Sequence, residues 1–292
     1  LWDAAGSFTF FKTGITEELK KKGIELIFFK TLLPHIFSIH DYRSWYFRDH
    51  RRTLVIDESV AFTGSTSIEA RMEKWRDTTV KIEGPVVGDM QRAFDQMWGR
   101  ANGKRVAKRP EELRNDFEFE YVSNTPIPKT RHLYRRMLEA MRGAEKSIYI
   151  TVPYFVPNHK LARVIRLAAH RGVDVRIILP AASDFPTVDL GARTFFHQML
   201  KAGVRIFLYE GRMMHTKSIV IDKEWSTVGT LNLDHISLMY NFEANIVSNN
   251  RRFADALLTH FNEDLTHCQE VKLEEWNRRF FCTFIDGAYV GE

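Results

Sequence analysis

The sequence predicts an α/β protein built from two similar α/β/α lobes with mixed, mostly parallel sheets, related by a pseudo-twofold axis. Three observations carry this prediction. Helical and strand periodicities alternate from about residue 133 to 209, the mark of layered α/β architecture. A unit of three strands and a helix occurs twice. The two copies also align around a histidine in each.

In chain order, "ITEELKKKG" reads as a helix and "IELIFF" as a strand. "DHRRTLVIDESVAFTGS" (49–65) holds two strands, "KWRDTTVKIEG" (74–84) a third, and "VVGDMQRAFDQMWGRA" (86–101) the helix of the first copy. The connection at 31–47 is unusually apolar, with Leu32, Leu33, Ile36, Phe37, Ile39, Trp45, Tyr46 and Phe47. It reads as a helix-containing loop packed on the core, or as a lid or membrane-contacting segment with an aromatic edge.

Helices in "LYRRMLEAMRGA", "HKLARVIRLAAHRG" and "VDLGARTFFHQMLKAG" then alternate with strands in "KSIYITVPYF", "VDVRIILP" and "VRIFLYE". "KSIVID" (217–222) and "WSTVGTLN" (225–232) form a hairpin with its turn at Lys223 and Glu224. "MYNFEANIVS" (239–248) is the third strand and "RRFADALLTHFNEDL" (251–265) the closing amphipathic helix. The expected lobes are 1–121 and 122–292. The first has only the last helix and strand that precede the repeated unit in the second, and the chain opens on Leu1. A fragment lacking about two strands and their helices before Leu1 is therefore expected.

Lys and Arg number 42 against 37 Asp and Glu, a formal charge of +5, with a pI near 9.1. That suits a phosphate-bearing partner, and anionic lipid and nucleic acid fit it equally. No run reaches the ~18–20 apolar residues of a membrane span. Cys268 and Cys282 are too few for a disulfide framework, and their spacing with His260 and His267 matches no zinc pattern. No metal or cofactor is expected.

Superposing the copies places His50 on His215, Arg52 on Lys217, Asp57 on Asp222, Gly64 on Gly229, Ser65 on Thr230 and Ser67 on Asn232, with Asp77 within one residue of Glu243. A lone histidine before a strand reads as structural. Two, each with a cation two residues on and a carboxylate 27 or 28 residues on, read as chemistry. One imidazole can attack phosphorus while the other protonates the leaving oxygen. Arg52 and Lys217 can stabilise the charge that develops on phosphoryl oxygens without a metal. Ser65, Ser67, Thr230 and Asn232 can donate hydrogen bonds to those oxygens, and Asp77 and Glu243 can orient the imidazoles through Nδ1. Ser183 and Asp184 follow a strand end and read either as the border of the substrate mouth or as a helix cap. The tryptophans Trp75, Trp98, Trp225 and Trp276 read as core or sheet-edge aromatics.

His215-x-Lys217-x4-Asp222-x6-Gly229-Thr230-x-Asn232 resembles the HKD signature of the phospholipase D superfamily. "WRDTTVKIEGPVV", "VPYFVPN", "RGVDVRIILP", "AGVRIFLYE" and "NLDHISLMYNFEAN" resemble bacterial cardiolipin synthases more narrowly. The resemblance implies one metal-independent site shared by two HKD motifs. His50 would be the nucleophile and His215 the general acid and later base, with Asp57 and Asp222 in support. It implies phosphatidyl transfer between two phosphatidylglycerols with release of glycerol, at the bacterial inner membrane, peripheral or anchored by a segment outside this chain. The alternatives are a cytoplasmic protein, a phosphodiesterase acting on phospholipid or nucleic acid, and a phosphate-binding pseudoenzyme. Base-specific nucleic-acid recognition is not expected, and the oligomeric state is left open. The first copy departs from the signature at Arg52 and Ser67, where the pattern has Lys and Asn.

Overall fold

The computed structural model describes residues 1–7, 13–30, 46–67, 69–103 and 118–278. Of the apolar connection at 31–47, only Tyr46 and Phe47 fall among these, and Cys282 lies outside them.

In the first lobe, β1 (Trp2–Asp3) pairs parallel with β2 (Phe28–Phe29), which follows α1 (Ile15–Lys21). β3 (Thr53–Ile56), β4 (Val60–Gly64) and β5 (Thr79–Glu83) form an antiparallel meander, covered by α2 (Val86–Ala101). Val86, Val87 and Met90 of α2 bury against Ala61 and Ile82, and the same cluster takes in Ile246 of the second lobe. The two lobes thus share one apolar seam.

The second lobe contains β6 (Phe119–Asn124), α3 (His132–Gly143), β7 (Ser147–Thr151), β8 (Phe155–Val156), α4 (His159–His170), β9 (Asp174–Pro180) and α5 (Pro186–Lys201). It continues with β10 (Arg205–Tyr209), β11 (Ser218–Ile221), β12 (Trp225–Gly229), β13 (Leu233–Asp234), α6 (His235–Met239), β14 (Glu243–Ser248), α7 (Arg251–Leu265) and β15 (Cys268–Val271). Eight of these strands form one sheet in the order β15-β10-β9-β7-β11-β12-β14-β6. Leu133, Met137 and Met141 of α3, Leu161 and Ile165 of α4, and Phe196 and Met199 of α5 pack on one face against Ile148, Ile150, Ile177 and Ile206. α7 covers the other face, with Ala254 and Leu257 on Val220 and Val228, and Phe261 on Ile178 and Phe207. This is the expected α/β/α layering.

Three expectations are corrected. The sheet is mixed, but five of its seven pairings are antiparallel. Parallel pairing arises only where a helix returns the chain, between β7, β9 and β10. Hairpins and meanders supply the rest. β6 crosses the expected lobe boundary at 121/122 and pairs with β14 along its whole length, so the chain enters the second sheet at Phe119. The span 239–248 is not one strand, because α6 ends at Met239 and β14 begins only at Glu243.

The two motif hairpins share an unusual turn. Asp57 and Glu58 in one, and Asp222 and Lys223 in the other, have positive φ of 49°, 51°, 54° and 59°. Ser59 and Glu224 donate back to Ile56 and Ile221, each at 3.0 Å. These are type I′ geometries, which match the strand twist and accept aspartate at their first central position. The second turn therefore centres one residue earlier than expected, on Asp222 and Lys223.

At the far end of β12, Gly229 lies against β14, and a Cβ there would stand 2.4 Å from the Ala244 carbonyl oxygen. Gly64 meets the Thr78 carbonyl oxygen at the same 2.4 Å. Backbone sits on both sides and cannot yield cheaply. Gly229→Ala is expected to destabilise the fold by about 2–4 kcal/mol, read as a lower urea midpoint; a midpoint within error of the parent would remove this account of the glycine.

Candidate active site

The open ends of the two hairpins, opposite their turns, face each other. Two isolated backbone bridges join them. Asp49 pairs with Phe242, with His50 donating to the Phe242 carbonyl at 2.9 Å. Arg76 pairs with Met214, with His215 donating to the Arg76 carbonyl at 2.7 Å. Each bridge sets a histidine of one lobe beside a carboxylate of the other. His50 Nδ1 lies 3.0 Å from both carboxylate oxygens of Glu243, and His215 Nδ1 lies 3.0 Å from Oδ2 of Asp77. Each copy's carboxylate thus serves the other copy's histidine.

The cations act within their own motifs. Lys217 Nζ is 3.0 Å from His215 Nε2 and donates to the His215 carbonyl at 2.9 Å. Arg52 Nη1 is 3.1 Å from His50 Nε2 and donates to the His50 carbonyl at 3.2 Å. The guanidinium therefore reproduces the ammonium's contacts. Its additional donor, Nε, goes to Ser67 Oγ at 2.5 Å. Arg52 and Ser67, the two departures from the signature, are thus partners: the longer side chain needs a further acceptor, and the shorter residue supplies it. In each pair the Nε2 lone pair faces a cation and Nδ1–H donates to a carboxylate, the tautomer a nucleophile or base requires.

Burial sharpens the electrostatics. Lys217 is 2% exposed and Glu243 wholly buried. Burial, with Arg52 adding repulsion, pushes the Lys217 ammonium down to about 7. His215 falls to about 4, first through burial and then through the Lys217 charge, against the pull of Asp77. Asp77 and Glu243 resist their own burial and stay below the usual carboxylate range, because each accepts hydrogen bonds from its histidine and from hydroxyls. Ser65 donates to Asp77, and Ser237 and Thr230 bond Glu243. Asn232 is buried, and its Oδ1 has no hydrogen-bond partner among the described residues.

Asp57 and Asp222 stand apart from this cluster. Both sit in the hairpin turns, seven residues and about 20 Å of extended chain from their histidines. The Asp222 carboxylate accepts the backbone N–H groups of Glu145, Lys146 and Ser147 at 2.7–2.9 Å, which holds it below the usual range despite some burial and locks the start of β7. The supporting place expected for it is thus given a partner: it holds the backbone at residues 145–147 and makes no hydrogen bond to His215 or Lys217.

Several neighbours had no sequence signal. Trp75, read as a core aromatic, places its ring 5.2 Å from His215 and lines a cleft of about 520 Å³ with Thr66, Ser67, Glu69 and Asp77. Tyr154 lies 6.2 Å from the same imidazole, ring to ring, and donates to Asp184 at 2.6 Å; Arg71 approaches Asp184 at 3.6 Å from the other lobe. Asp184 therefore borders the mouth, while Ser183 only closes a local turn with Phe185. Ser237, in α6, was legible in neither copy, because its role depends on α6 folding back over Glu243.

The sequence model described as cardiolipin synthase, PLD-like domain, matches residues 137–265. Cardiolipin synthase A of Serratia proteamaculans (strain 568) is 32% identical over 295 residues, covering 96% of this chain and 60% of the relative. The protein of the same name from Klebsiella pneumoniae (strain 342) is 33% identical over 294 residues, covering 95% and 60%. The chain thus carries a PLD-like domain of the cardiolipin synthase type over residues 137–265. It spans about 60% of the length of these curated relatives. The crystal structure of phosphatidylserine synthase from Haemophilus influenzae Rd KW20 superposes with a TM-score of 0.64 at 17% identity, over 78% of this chain and 64% of that one. That likeness is one of fold. Among the described residues no cluster of His, Cys, Asp and Glu is arranged to hold a metal, and no helix is long and apolar enough to cross a membrane.

The neutral state of His215 has a consequence for stability. Unfolded, this imidazole binds a proton near 6.5; folded, near 4. Between those values the unfolded chain binds more protons, so stability falls as pH drops from 6.5 to 4 and this contribution levels off below. The expected loss is on the order of 1–3 kcal/mol. Urea midpoints at pH 6.5, 5.5 and 4.5 should show it, with a shallower slope in His215→Gln. Equal slopes in parent and variant would assign the pH dependence elsewhere.

Proposed function

We propose that this chain carries the catalytic site of a phosphatidyltransferase that joins two phosphatidylglycerols into cardiolipin and releases glycerol, without a metal or cofactor. The observation that supports it most is the crossed pair of histidines, each backed by a carboxylate through Nδ1 and capped by a cation at Nε2. The relatives named cardiolipin synthase A direct the reading toward that product.

In this mechanism a phosphodiester enters between Lys217 and Arg52, whose charges meet its non-bridging oxygens. His50 Nε2 attacks phosphorus and the bond to the glycerol oxygen breaks. His215 donates a proton to that oxygen. Burial and the charges of Lys217 and Arg52 hold His215 neutral in the free site; the anionic substrate offsets those charges and favours the protonated imidazole in the bound complex. Glycerol leaves, the hydroxyl of a second phosphatidylglycerol gives its proton to His215 and attacks phosphorus, and the phosphorus–nitrogen bond to His50 breaks. Glu243 and Asp77 stabilise the imidazolium forms. His50 suits the nucleophile's role because 26% of its side chain is exposed against 3% for His215, over which Trp75 and Tyr154 pack.

The rival reading, hydrolysis of a phospholipid or nucleic acid, uses the same residues and differs only in the attacking hydroxyl. The full chain is incubated with phosphatidylglycerol vesicles in one tube and single-stranded DNA in another. Cardiolipin with free glycerol is expected. Phosphatidic acid as the lipid product, or cleaved DNA, would transfer the assignment to a hydrolase. The pseudoenzyme alternative is disfavoured by Arg52, which makes both contacts that Lys217 makes.

A further inference from the structure

We infer that the strand-edge surface around β8 is where the active-site mouth seats on an anionic bilayer, through Phe185, Leu190 and Ile236. This rests on the reading of the substrate as a phospholipid. The three side chains are 49%, 63% and 61% exposed. Single apolar residues scattered over a surface carry no meaning, but a group of them at a functional mouth does.

Their contiguity follows from β8 and its approach. The Phe185 ring meets Tyr154 edge-on at 5.8 Å, and Tyr154 in turn faces His215. Leu190 adjoins Gly191, where a Cβ would stand 3.2 Å from the Val156 side chain, so α5 rides directly on β8. Ile236 is the second residue of α6 and lies two residues after Asp234, the backbone partner of Val156. Residues 154–156 thus hold all three apolar groups around one short strand whose first neighbour touches the catalytic imidazole.

The surrounding charge selects an anionic bilayer. Arg193 lies three residues after Leu190 on the same face of α5, and Lys160 follows β8 in the first turn of α4; both are exposed, and neither forms an ion pair among the described residues. The nearby carboxylates are engaged internally. Asp184 accepts from Tyr154, Asp189 from the Ser183 N–H, and Asp234 from the N–H groups of Ile236 and Ser237. Apolar groups flanked by free cations, with the acids turned inward, match an interface of acyl chains beneath anionic headgroups. Such seating would let a lipid present its phosphodiester to the site while its chains remain in the bilayer.

The test is flotation of the full chain with vesicles of phosphatidylglycerol and phosphatidylcholine, and with phosphatidylcholine alone. The triple variant Phe185→Ser, Leu190→Gln, Ile236→Gln is expected to lose roughly tenfold or more in partition while keeping the parent's melting temperature. It should also keep the parent's turnover of short-chain phosphatidylglycerol in monomeric solution. As a second measurement on a folded protein, Phe185→Trp should blue-shift its added fluorescence only with the anionic vesicles. Parental partition of the triple variant, or no shift from the tryptophan, overturns the inference. Partition lost in Lys160→Glu, Arg193→Glu but kept in the triple variant would also overturn it, as surface adsorption without insertion. If the parent fails to turn over the short-chain lipid, the phosphatidyltransferase reading falls, whereas the flotation result still decides the bilayer contact.

Discussion

His50→Ala is expected to lose turnover by roughly 10⁴-fold or more and to form no covalent phosphoryl adduct on intact-mass analysis, quenched without acid. The corresponding His215→Ala variant should lose turnover of phosphatidylglycerol to a similar extent for a different reason. In the proposed mechanism glycerol, a poor leaving group, needs the proton that His215 would supply. A p-nitrophenyl phosphodiester does not. With that probe, His215→Ala should still release one equivalent of nitrophenolate per site and then stall as the adduct, because no base activates the second attack, whereas His50→Ala should release none. The reverse pattern, a burst in His50→Ala and none in His215→Ala, would exchange the two roles. Absence of any adduct in the parent under rapid quench would remove the covalent mechanism. The cross-lobe pairing extends the experiment. Asp77→Asn should resemble a weakened His215→Ala, and Glu243→Gln a weakened His50→Ala, although each acid lies in the opposite copy of the repeat.

The second large effect concerns Lys217. Its ammonium is buried, makes no ion pair within the described residues, and spends its bonds on the His215 ring and carbonyl. Burial is the dominant cause that lowers it to about 7. Between 7 and its ordinary value of 10.5 the unfolded chain binds the extra proton, so this group contributes least stability at and below neutrality and its penalty eases as pH rises. Lys217→Met, which keeps the volume and removes the charge, is therefore expected to cut turnover by roughly 10³-fold. At neutral pH it should stabilise the fold by about 1–3 kcal/mol, a rise of roughly 3–8 °C in Tm. The imidazole of His215, relieved of the adjacent cation, should titrate at higher pH by NMR. A lower Tm would mean that Lys217 compensates Asp77 and Glu243 more than its burial costs. Turnover within tenfold of the parent would remove the cation from the mechanism. Both results together would make Lys217 a group that costs stability and serves the reaction, the usual trade at a site selected for chemistry.

Much of this arrangement could be read before any coordinates. The amphipathic helices at 86–101 and 251–265 have the expected bounds, because their apolar stripes and flanking turns are local properties. The motif hairpins are equally local: a β-rich run, a turn that accepts aspartate at positive φ, and a second run. What could not be read was anything that depended on which strand the chain chose as neighbour. β6 and β15 join the sheet by long-range pairing, and their short sequences carry no signal of it. Asp222 illustrates the limit from the other side. Its position in the motif suggested a support, but what it supports, three backbone N–H groups 75 to 77 residues away, was not written in the spacing.

The sequence by itself determined that two copies of one unit each bring a histidine, a cation and a carboxylate, since residue identity and spacing are written in the chain. Only the tertiary structure decided that the carboxylates cross over. That outcome depends on two backbone bridges, Asp49 to Phe242 and Arg76 to Met214, between segments well over a hundred residues apart. It also decided that Arg52 and Ser67 compensate one another, and that Ser237, Trp75 and Tyr154 complete the surroundings. The physical reason is the same in each case: hydrogen bonds and burial act through space over a few ångströms, and sequence spacing constrains that distance only within one strand, turn or helix.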